Sequence, residues 1–320
     1  MNLRNQKSHK FSFPKEVLSA LSAGAPVVAL ESTIISHGLP RPENLRVAIE
    51  VEETVGSRDA VPATIAMLEG RVHIGLSQDN LEQIATRDDV IKTSIRDLST
   101  VAARKSFAAT TVAATSHLAN LAGISVFATG GLGGVHRHAR ETWDESADLT
   151  ALSQIPITIV CSAVKSILDV SATLERLKTL NVGVVVYTSR QFPGLFLSDS
   201  GITVDWSLSD PTEIADVVAA RRSLSIRSGL VIAHPLPAAN QLDPDLHDQV
   251  LAEGLKLADS KKITGQEVTP FLLDHFHRAT HGQSLVVNTE IIVRNAELAA
   301  RIAVADSGTA TGSYLSVVKP

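Results

Sequence analysis

The chain has 320 residues, of which 44% are hydrophobic and 20% are charged, and its formal net charge is −5. Aromatic residues make up only 4% and no long basic block occurs, which argues against nucleic-acid polymers as partners. No apolar run approaches the ~18 residues of a membrane-spanning helix, so we expect no membrane partner either.

The predictions of the cellular compartment and of the structure of the chain ends depend on few residues. A single cysteine, Cys161, rules out an intrachain disulfide and is typical of a reducing compartment. Residues 1–15 are basic but lack the apolar core of a secretory signal, so we expect a cytoplasmic protein, with an organelle presequence as the open alternative. We expect flexible tails at 1–12 and 307–320 around one domain at 13–306.

Strand-like and helix-like segments alternate along the first half. In chain order, we predict a strand at 26–31, a helix at 42–57, two strands within 63–76, a helix after Ser77, a helix at 109–123 and a strand at 124–129. Pro42 and Ser77 are typical of helix N-termini, and Gly123 is typical of a C-terminal cap.

The second half continues this alternation. We predict strands at 155–162, 182–188 and 229–235, helices at 171–180 and 211–226, and a mostly helical stretch from Asp243 to Asp306. Such alternation predicts a layered α/β fold with a largely parallel central sheet and a helical C-terminal segment.

One lysine interrupts the apolar stretch IPITIVCSAVKSILDV at 155–170. An ammonium in that setting is costly unless it is paired or neutral. Burial lowers the pKa of a lysine, and a neutral amine is a nucleophile. From this stretch alone two interpretations stay open: either Lys165 is catalytic, or the strand ends at Ser162 and Lys165 points into water.

A glycine-rich segment at 128–149, ATGGLGGVHRHARETWDESADL, follows a predicted strand. The dinucleotide-binding fingerprint fails because His136 stands at its third glycine, so the segment is either a turn or a phosphate or sugar site. Beyond its glycines, Asp144, Ser146 and Asp148 alternate as oxygen ligands of the kind that Mg²⁺ and Mn²⁺ prefer. The same residues also suit a helix N-terminus.

Three further polar residues are site candidates. Glu31 ends a predicted buried strand, where open α/β sheets bind ligands, so it is either a partly desolvated acid or a glutamate in a surface salt bridge. Lys92 is either an ordinary surface lysine or a positive point charge that holds an anionic group. Asn288 lies in an apolar helix, and its amide suits a structural bond and a ligand contact equally.

Five segments together resemble the pseudouridine-5′-phosphate glycosidase family, from about Phe13 to Ala303. They are VVALESTIISHGLPRPEN, PATIAMLEGRVHIGL, ATTVAATSHLANLAGISVFATGGLGGVHR, DESADLTALSQIPITIVCSAVKSILDVSATLE and TPFLLDHFHRATHGQSLVVN. The resemblance implies an α/β/α enzyme, a homotrimer, and reversible cleavage of the C–C glycosidic bond of pseudouridine 5′-phosphate to uracil and ribose 5-phosphate. It also implies Mn²⁺ or another divalent cation.

The resemblance also implies roles for individual residues. Lys165 matches the covalent nucleophile, which forms a Schiff base, Glu31 matches the proton donor, and Asp144 matches the metal ligand. The positions that match substrate contacts are Lys92, Val112, Ser146, Ala147, Asp148 and Asn288.

Three positions depart from the family pattern. His138 and Arg140 replace smaller and acidic residues, and His234 stands where the family usually has asparagine. Two other functions remain as alternatives. One is a Schiff-base aldolase acting on a sugar phosphate, and the other is an inactive member that only binds nucleotides or oligomerises. The presence of Lys165, Glu31 and Asp144 argues against the inactive member.

Overall fold

The computed structural model describes residues 11–263 and 268–310. The strands are β1 (Phe11–Ser12), β2 (Val27–Glu31), β3 (Val61–Leu68), β4 (Arg71–Ile74), β5 (Ile91–Thr93), β6 (Ala108–Thr110), β7 (Val126–Ala128), β8 (Thr158–Cys161), β9 (Gly183–Tyr187), β10 (Gln191–Phe192), β11 (Ile202–Thr203), β12 (Ser207–Leu208) and β13 (Leu230–Ala233). The helices are α1 (Lys15–Ala23), α2 (Glu43–Gly56), α3 (Gln78–Thr86), α4 (Leu98–Arg104), α5 (Val112–Ala122), α6 (Ala139–Thr142), α7 (Ala147–Gln154), α8 (Val170–Thr179), α9 (Pro211–Ser223), α10 (Pro244–Ser260), α11 (Val268–Ala279) and α12 (Gln283–Ala310).

The predicted alternation of strands and helices is confirmed. Strands β2, β7, β8, β9 and β13 and helices α2, α8 and α9 fall on the segments predicted for them. Two boundaries follow from single residues. The Ser77 hydroxyl accepts the Asn80 N–H at 3.3 Å and caps α3. Gly123 ends α5 with a φ of 86°, a left-handed conformation that glycine adopts without a Cβ clash.

The predicted helix at 109–123 is wrong at its start. Ala108–Thr110 form strand β6, and the Thr111 hydroxyl accepts the Ala114 N–H, so α5 begins only at Val112. A run of small residues carries no alternating pattern that would indicate a strand. The pairing of β6 with β3 and β5 decides the conformation here, which is a tertiary effect.

Within the described residues, one sheet of eleven strands forms the centre of the fold, in the order β1-β4-β3-β2-β7-β8-β13-β9-β12, with β6 beside β3 and β5 beside β6. All neighbouring strands run parallel except β4 and β6, which are antiparallel to β3. A separate antiparallel hairpin pairs β10 with β11. The predicted fold class is therefore confirmed.

Helices cover both faces of this sheet. One apolar core contains buried residues of α5, α7 and α8, and a second contains buried residues of α2, α9 and α12. The strands between them are apolar on both faces. Ile159 and Val160 of β8 point to opposite sides and are both fully buried. Burial of each such side chain contributes about 1.5–3 kcal/mol.

A junction beside β3 determines where the cavity lies. β3 is long enough to pair with β2 up to Ile65 and then with β6 from Ala66. Because β6 runs antiparallel to β3, its carboxyl end meets that of β2 head to head. Hydroxyls seal the junction: Ser32 Oγ donates to the Ile65 carbonyl at 2.6 Å and accepts the Thr110 N–H at 2.9 Å.

The chain ends are described only in part. Phe11 and Ser12 pair with β4, so a strand lies within the segment 1–12 that was expected to be a tail. Helix α12 continues to Ala310, past the expected boundary at 306. The rest of the predicted tails, 1–10 and 311–320, lies outside the described residues. No helix in the described ranges is both long and apolar enough to cross a membrane.

Candidate active site

A cavity of about 530 Å³ opens at the carboxyl ends of β2, β7 and β8, where those of β5 and β6 also converge. This is the edge at which α/β sheets of this kind bind ligands. All nine site residues predicted from the sequence line this cavity: Glu31, Lys92, Val112, Asp144, Ser146, Ala147, Asp148, Lys165 and Asn288.

Glu31 is the last residue of β2 and is only 8% exposed. Thr129 Oγ1 donates to Glu31 Oε1 at 2.5 Å, and Thr33 Oγ1 donates to Oε2 at 2.8 Å. Burial raises the pKa of the Glu31 carboxyl, and the nearby Lys165 and the two hydroxyls offset this only in part. Glu31 therefore holds its proton to higher pH than an ordinary glutamate, as a general acid must.

Lys165 follows β8 by four residues, in a segment that is not helical. This segment is held against the glycine-rich loop, because the Lys165 N–H donates to the Leu132 carbonyl at 3.1 Å and Leu132 N–H donates to the Ala163 carbonyl at 2.9 Å. The side chain is partly buried and lines the cavity. A Cβ on Gly131 would lie 2.8 Å from Leu195 Cδ1 and 3.6 Å from Lys165 Cγ. Glycine at position 131 therefore leaves room for both side chains.

Lys92, on β5, brings a second amine to the cavity. Burial lowers the pKa of Lys92 and the positive charge of Lys165 lowers it further, while Glu31 and Asp148 raise it. Two amines and two carboxyl groups thus interact within one partly desolvated space. Such a concentration of coupled titratable groups is typical of active sites.

Asp148 connects three parts of the cavity wall. It is 6% exposed, and its Oδ1 accepts the Ala113 N–H while its Oδ2 accepts the Gly133 N–H, both at 2.9 Å. The Asp148 carboxylate therefore holds the start of α5 against the glycine-rich loop. Because Val112 and Ala147 are the first residues of α5 and α7, two helix N-termini meet the cavity where Lys92 also lies.

Asp144 has the environment that a hydrated cation requires. Its side chain is about one third exposed, and Oδ2 lies 3.6 Å from His136 Nδ1. The neighbouring acid, Glu145, is already paired with Arg176 at 3.0 Å. Within the described ranges no three His, Cys, Asp or Glu side chains cluster as a metal cage. One open carboxylate fits Mg²⁺ or Mn²⁺, which keep several waters and take further oxygens from a bound substrate.

Other polar side chains that line the cavity carry no site prediction from the sequence, among them Thr33, His37, Ser94 and Arg96. Their positions could have indicated these four, because they lie two to six residues after Glu31 or Lys92 in the chain. The residues from Ile34 to Gly38 form a π-helical turn, a rare conformation that is frequent at functional sites.

The three departures from the family pattern lie in different surroundings. His138 and Arg140 are exposed at α6, where His138 Nε2 lies 3.8 Å from Asp259 Oδ1. His234 is only 8% exposed and follows β13. Its Nδ1 lies 3.2 Å from Asn295 Oδ1.

Known proteins match this chain over most of its length. The profile of the family described as indigoidine synthase A like protein matches residues 16–305. A pseudouridine-5′-phosphate glycosidase of Salinispora tropica is 59% identical over 293 residues, which cover 91% of this chain and 90% of that protein. The protein of the same name from Streptomyces griseus is 56% identical over 291 residues, which cover 91% and 90%.

Solved structures agree with these sequence matches. The prealnumycin C-glycosynthase AlnA, solved in complex with ribulose 5-phosphate, superimposes with a TM-score of 0.89 at 29% identity over 96% of this chain and all of that one. An indigoidine synthase A-like protein of Thermotoga maritima gives a TM-score of 0.85 at 33% identity, over 93% and 97%. The chain therefore belongs to the indigoidine synthase A like family, and its similarity to proteins named pseudouridine-5′-phosphate glycosidases confirms the predicted family resemblance.

Proposed function

We propose that this protein is a pseudouridine-5′-phosphate glycosidase, which reversibly cleaves the C–C glycosidic bond of its substrate to give uracil and ribose 5-phosphate. The observation that carries the proposal is that Lys165 and a buried Glu31 of raised pKa line one cavity. The names of relatives that are 56–59% identical to the chain support the same substrate.

The first step uses Lys165 as a nucleophile, and the neutral amine is the form that reacts. A carbon leaving group carries no oxygen or nitrogen at the broken bond that could be protonated. Nζ therefore attacks the ribose C1′, the bond from C1′ to the ring oxygen breaks, the ring oxygen takes a proton, and Nζ loses one, which restores its lone pair. The sugar is now an open chain attached to Lys165.

The second step breaks the C–C bond. The Lys165 nitrogen lone pair forms a C=N bond to C1′, the electrons of the glycosidic bond move to uracil C5, and that carbon takes a proton. Water then hydrolyses the imine and releases ribose 5-phosphate. Glu31 supplies a proton in this sequence, either to the ring oxygen or to C5, and its raised pKa keeps that proton available.

A divalent cation, Mn²⁺ in our proposal, would be held by Asp144. When bound, it would neutralise phosphate charge and orient the sugar. The protein's own groups share this task. Lys92, Ser146 and the N-termini of α5 and α7 offer a positive charge and N–H donors to the phosphoribose, and Asn288 offers an amide at the side of Gly130.

The test is uracil release. Purified protein is mixed with pseudouridine 5′-phosphate and Mn²⁺, and uracil and ribose 5-phosphate are quantified by chromatography. We expect equal amounts of both products. A Schiff-base aldolase would release no uracil, and neither would a protein that only binds nucleotides, so absence of uracil overturns the proposal. The name of the structural neighbour, a C-glycosynthase, favours C–C glycosidic chemistry over an aldolase.

We also propose a cytoplasmic location and a homotrimer. The location is supported by the single, buried Cys161, which suits a reducing compartment. The homotrimer is supported by the family resemblance. Sedimentation velocity of the purified protein tests the trimer, and a species of the mass of one or two chains would overturn it.

A further inference from the structure

A buried polar cluster lies behind the catalytic edge of the sheet. It consists of Thr129, Ser162, His234 and Asn295, which we call the Asn295 cluster. Thr129, Ser162 and His234 each follow directly after one of three neighbouring strands, β7, β8 and β13, and Asn295 comes from α12 across them. All four residues are 8% exposed or less, so every polar atom here needs a partner within the protein.

Two hydrogen bonds, one to the backbone of Thr129 and one from its side chain, connect this cluster to Glu31. Asn295 is fully buried, and its Nδ2 donates to the Thr129 carbonyl at 2.8 Å. The Thr129 hydroxyl in turn donates to Glu31 Oε1 at 2.5 Å. Asn295 thus fixes the backbone of the residue whose side chain holds the acid.

The orientation of the Asn295 amide follows from its partners. A carbonyl can only accept, so the nitrogen of the amide must face Thr129 and its oxygen must face His234 Nδ1, at 3.2 Å. Ser162 Oγ lies 2.9 Å from the His234 carbonyl and 3.3 Å from Asn295 Oδ1, and its one proton satisfies the shorter bond. His234 must therefore donate from Nδ1.

The protonation state of His234 agrees with this arrangement. Burial, followed by the positive charge of Arg294 and then that of Arg301, lowers the pKa of His234 to about 4, although the bond to Asn295 opposes the shift. The ring is then neutral at pH 7, with its single proton on Nδ1. An asparagine amide at position 234 has its side-chain nitrogen where Nδ1 lies, so it is an isosteric donor.

We propose that Asn295 is a positioning residue that holds Thr129, and through it Glu31, in place, and that His234 fixes the orientation of the Asn295 amide. This role rests on the proposed function, because it is the proton transfer by Glu31 that is being positioned. Asn288 lies seven residues earlier, about two helical turns, and faces Gly130, so α12 contacts the same loop from inside the cavity and from behind it.

The cluster also has a predicted effect on the acid itself. The Thr129 hydroxyl stabilises the carboxylate form of Glu31, so weakening that bond raises the pKa of Glu31 further. The charged groups that act on Glu31 are Lys165, Asp148 and Lys92, and none of them belongs to the cluster. Changes in the cluster should therefore move the titration of Glu31 toward higher pH without removing a charge beside it.

Four variants and a control test the proposal. Asn295→Ala and His234→Leu break this connection, Thr129→Val removes only its last hydroxyl, and His234→Asn keeps the donor. The control is Thr280→Val, because Thr280 is 2% exposed and its hydroxyl donates to the Phe276 carbonyl and accepts the Ser284 N–H at the turn between α11 and α12.

We expect kcat for uracil release to fall about 10-fold in Asn295→Ala, His234→Leu and Thr129→Val, with KM within about 3-fold of the wild type. The alkaline limb of the pH profile should move to higher pH in these three variants. His234→Asn and Thr280→Val should match the wild type in both respects. If Asn295→Ala and His234→Leu keep the wild-type kcat and pH profile, or Thr280→Val changes them equally, the proposal is wrong.

An infrared titration of the buried Glu31 carboxyl, assigned by its loss in Glu31→Gln, needs no substrate. Its midpoint should rise to higher pH in Asn295→Ala and Thr129→Val but not in Thr280→Val. An unchanged midpoint in Asn295→Ala and Thr129→Val would overturn the proposal, whichever reaction the protein catalyses. If the wild type releases no uracil but the midpoints move as expected, the proposed function fails while the coupling of Asn295 to Glu31 stands.

Discussion

Two walls of the cavity hold their acidic side chains in opposite ways. On the wall of β2 and β7, Glu31 is 8% exposed, and both of its oxygens accept threonine hydroxyls. On the wall formed by the loop before α7, Asp144 is about one third exposed and faces His136 Nδ1 at 3.6 Å.

This difference matches the chemistry expected of each side chain. A proton donor needs a raised pKa and one fixed geometry. Burial raises the pKa of Glu31, and the two hydroxyl hydrogen bonds fix its geometry. A ligand of a hydrated cation needs free lone pairs and access to water, which burial would remove. One wall is therefore preorganised for proton transfer, and the other stays open to charged groups that arrive with the substrate.

The largest effect is expected at Lys165, the proposed nucleophile, which lines the same cavity. Lys165→Ala should lower the rate of uracil release by about four orders of magnitude or more, because no amine remains to form the imine. The matched control is Lys178→Ala, whose side chain is 78% exposed beside Glu175. Initial rates, with thermal unfolding to verify the fold, check this prediction, and a Lys165→Ala rate within tenfold of the wild type would contradict it.

The buried wall is tested by Glu31→Gln, which keeps the shape and an acceptor oxygen but carries no acidic proton. We expect a loss of about 10²–10⁴-fold in kcat. Because the protonated form is the active one, wild-type activity should fall as pH rises through the raised pKa of Glu31. The pH profile of the variant should lack this alkaline limb. Persistence of the same limb in Glu31→Gln would assign it to another group.

The open wall is tested by Asp144→Asn, which removes the carboxylate charge. The Mn²⁺ concentration that gives half-maximal activity should rise about 10-fold or more. Glu145→Gln is the control, because this acid is already paired with Arg176 and should leave the metal dependence unchanged. Titrating activity against Mn²⁺ separates the two variants. An equal rise of the half-maximal Mn²⁺ concentration in both variants would mean that the metal dependence follows the overall negative charge of this wall and not coordination by Asp144.

The smallest effect is expected at the glycine-rich loop between the walls. In Gly133→Ala the new Cβ would lie 2.7 Å from Asp148 Oδ2 and would also crowd Ser146. We expect the free energy of unfolding to fall by about 1–3 kcal/mol and KM to rise. In the control, Gly56→Ala at the end of α2, no atom lies within 4 Å of the new Cβ. The control should gain up to about 1 kcal/mol. Urea unfolding measures the free energy of unfolding of both variants. Equal values for Gly133→Ala and Gly56→Ala would contradict the expected crowding.

Local signals were sufficient for much of the fold. The apolar run of β8, the cap at Ser77 and the glycine at 123 act within a few residues, so they can be read from the chain directly. The position of Glu31 at the end of a buried strand indicated the cavity, because the carboxyl ends of parallel strands meet at one edge. The chemical roles of the individual site residues come from the family resemblance of long segments, and these roles remain predictions.

Contacts between distant segments were not predictable from local patterns. The bond from Thr129 to Glu31 joins residues 98 apart, and the bond from Asn295 to Thr129 joins residues 166 apart. The strand of Ala108–Thr110 forms because β3 extends past β2 and pairs with it on one side, while β5 pairs with it on the other. The two backbone N–H groups that Asp148 accepts come from separate elements. Each of these depends on the assembled sheet.

The central claim is that Lys165 becomes covalently bound to the sugar, and trapping tests it most directly. The protein is mixed with pseudouridine 5′-phosphate and Mn²⁺, reduced with borohydride, and analysed by intact mass and peptide mapping. We predict one reduced ribose-phosphate adduct on Lys165, with free uracil in solution and no adduct in Lys165→Ala. Uracil release without an adduct, or an adduct on Lys92 instead, would contradict the account.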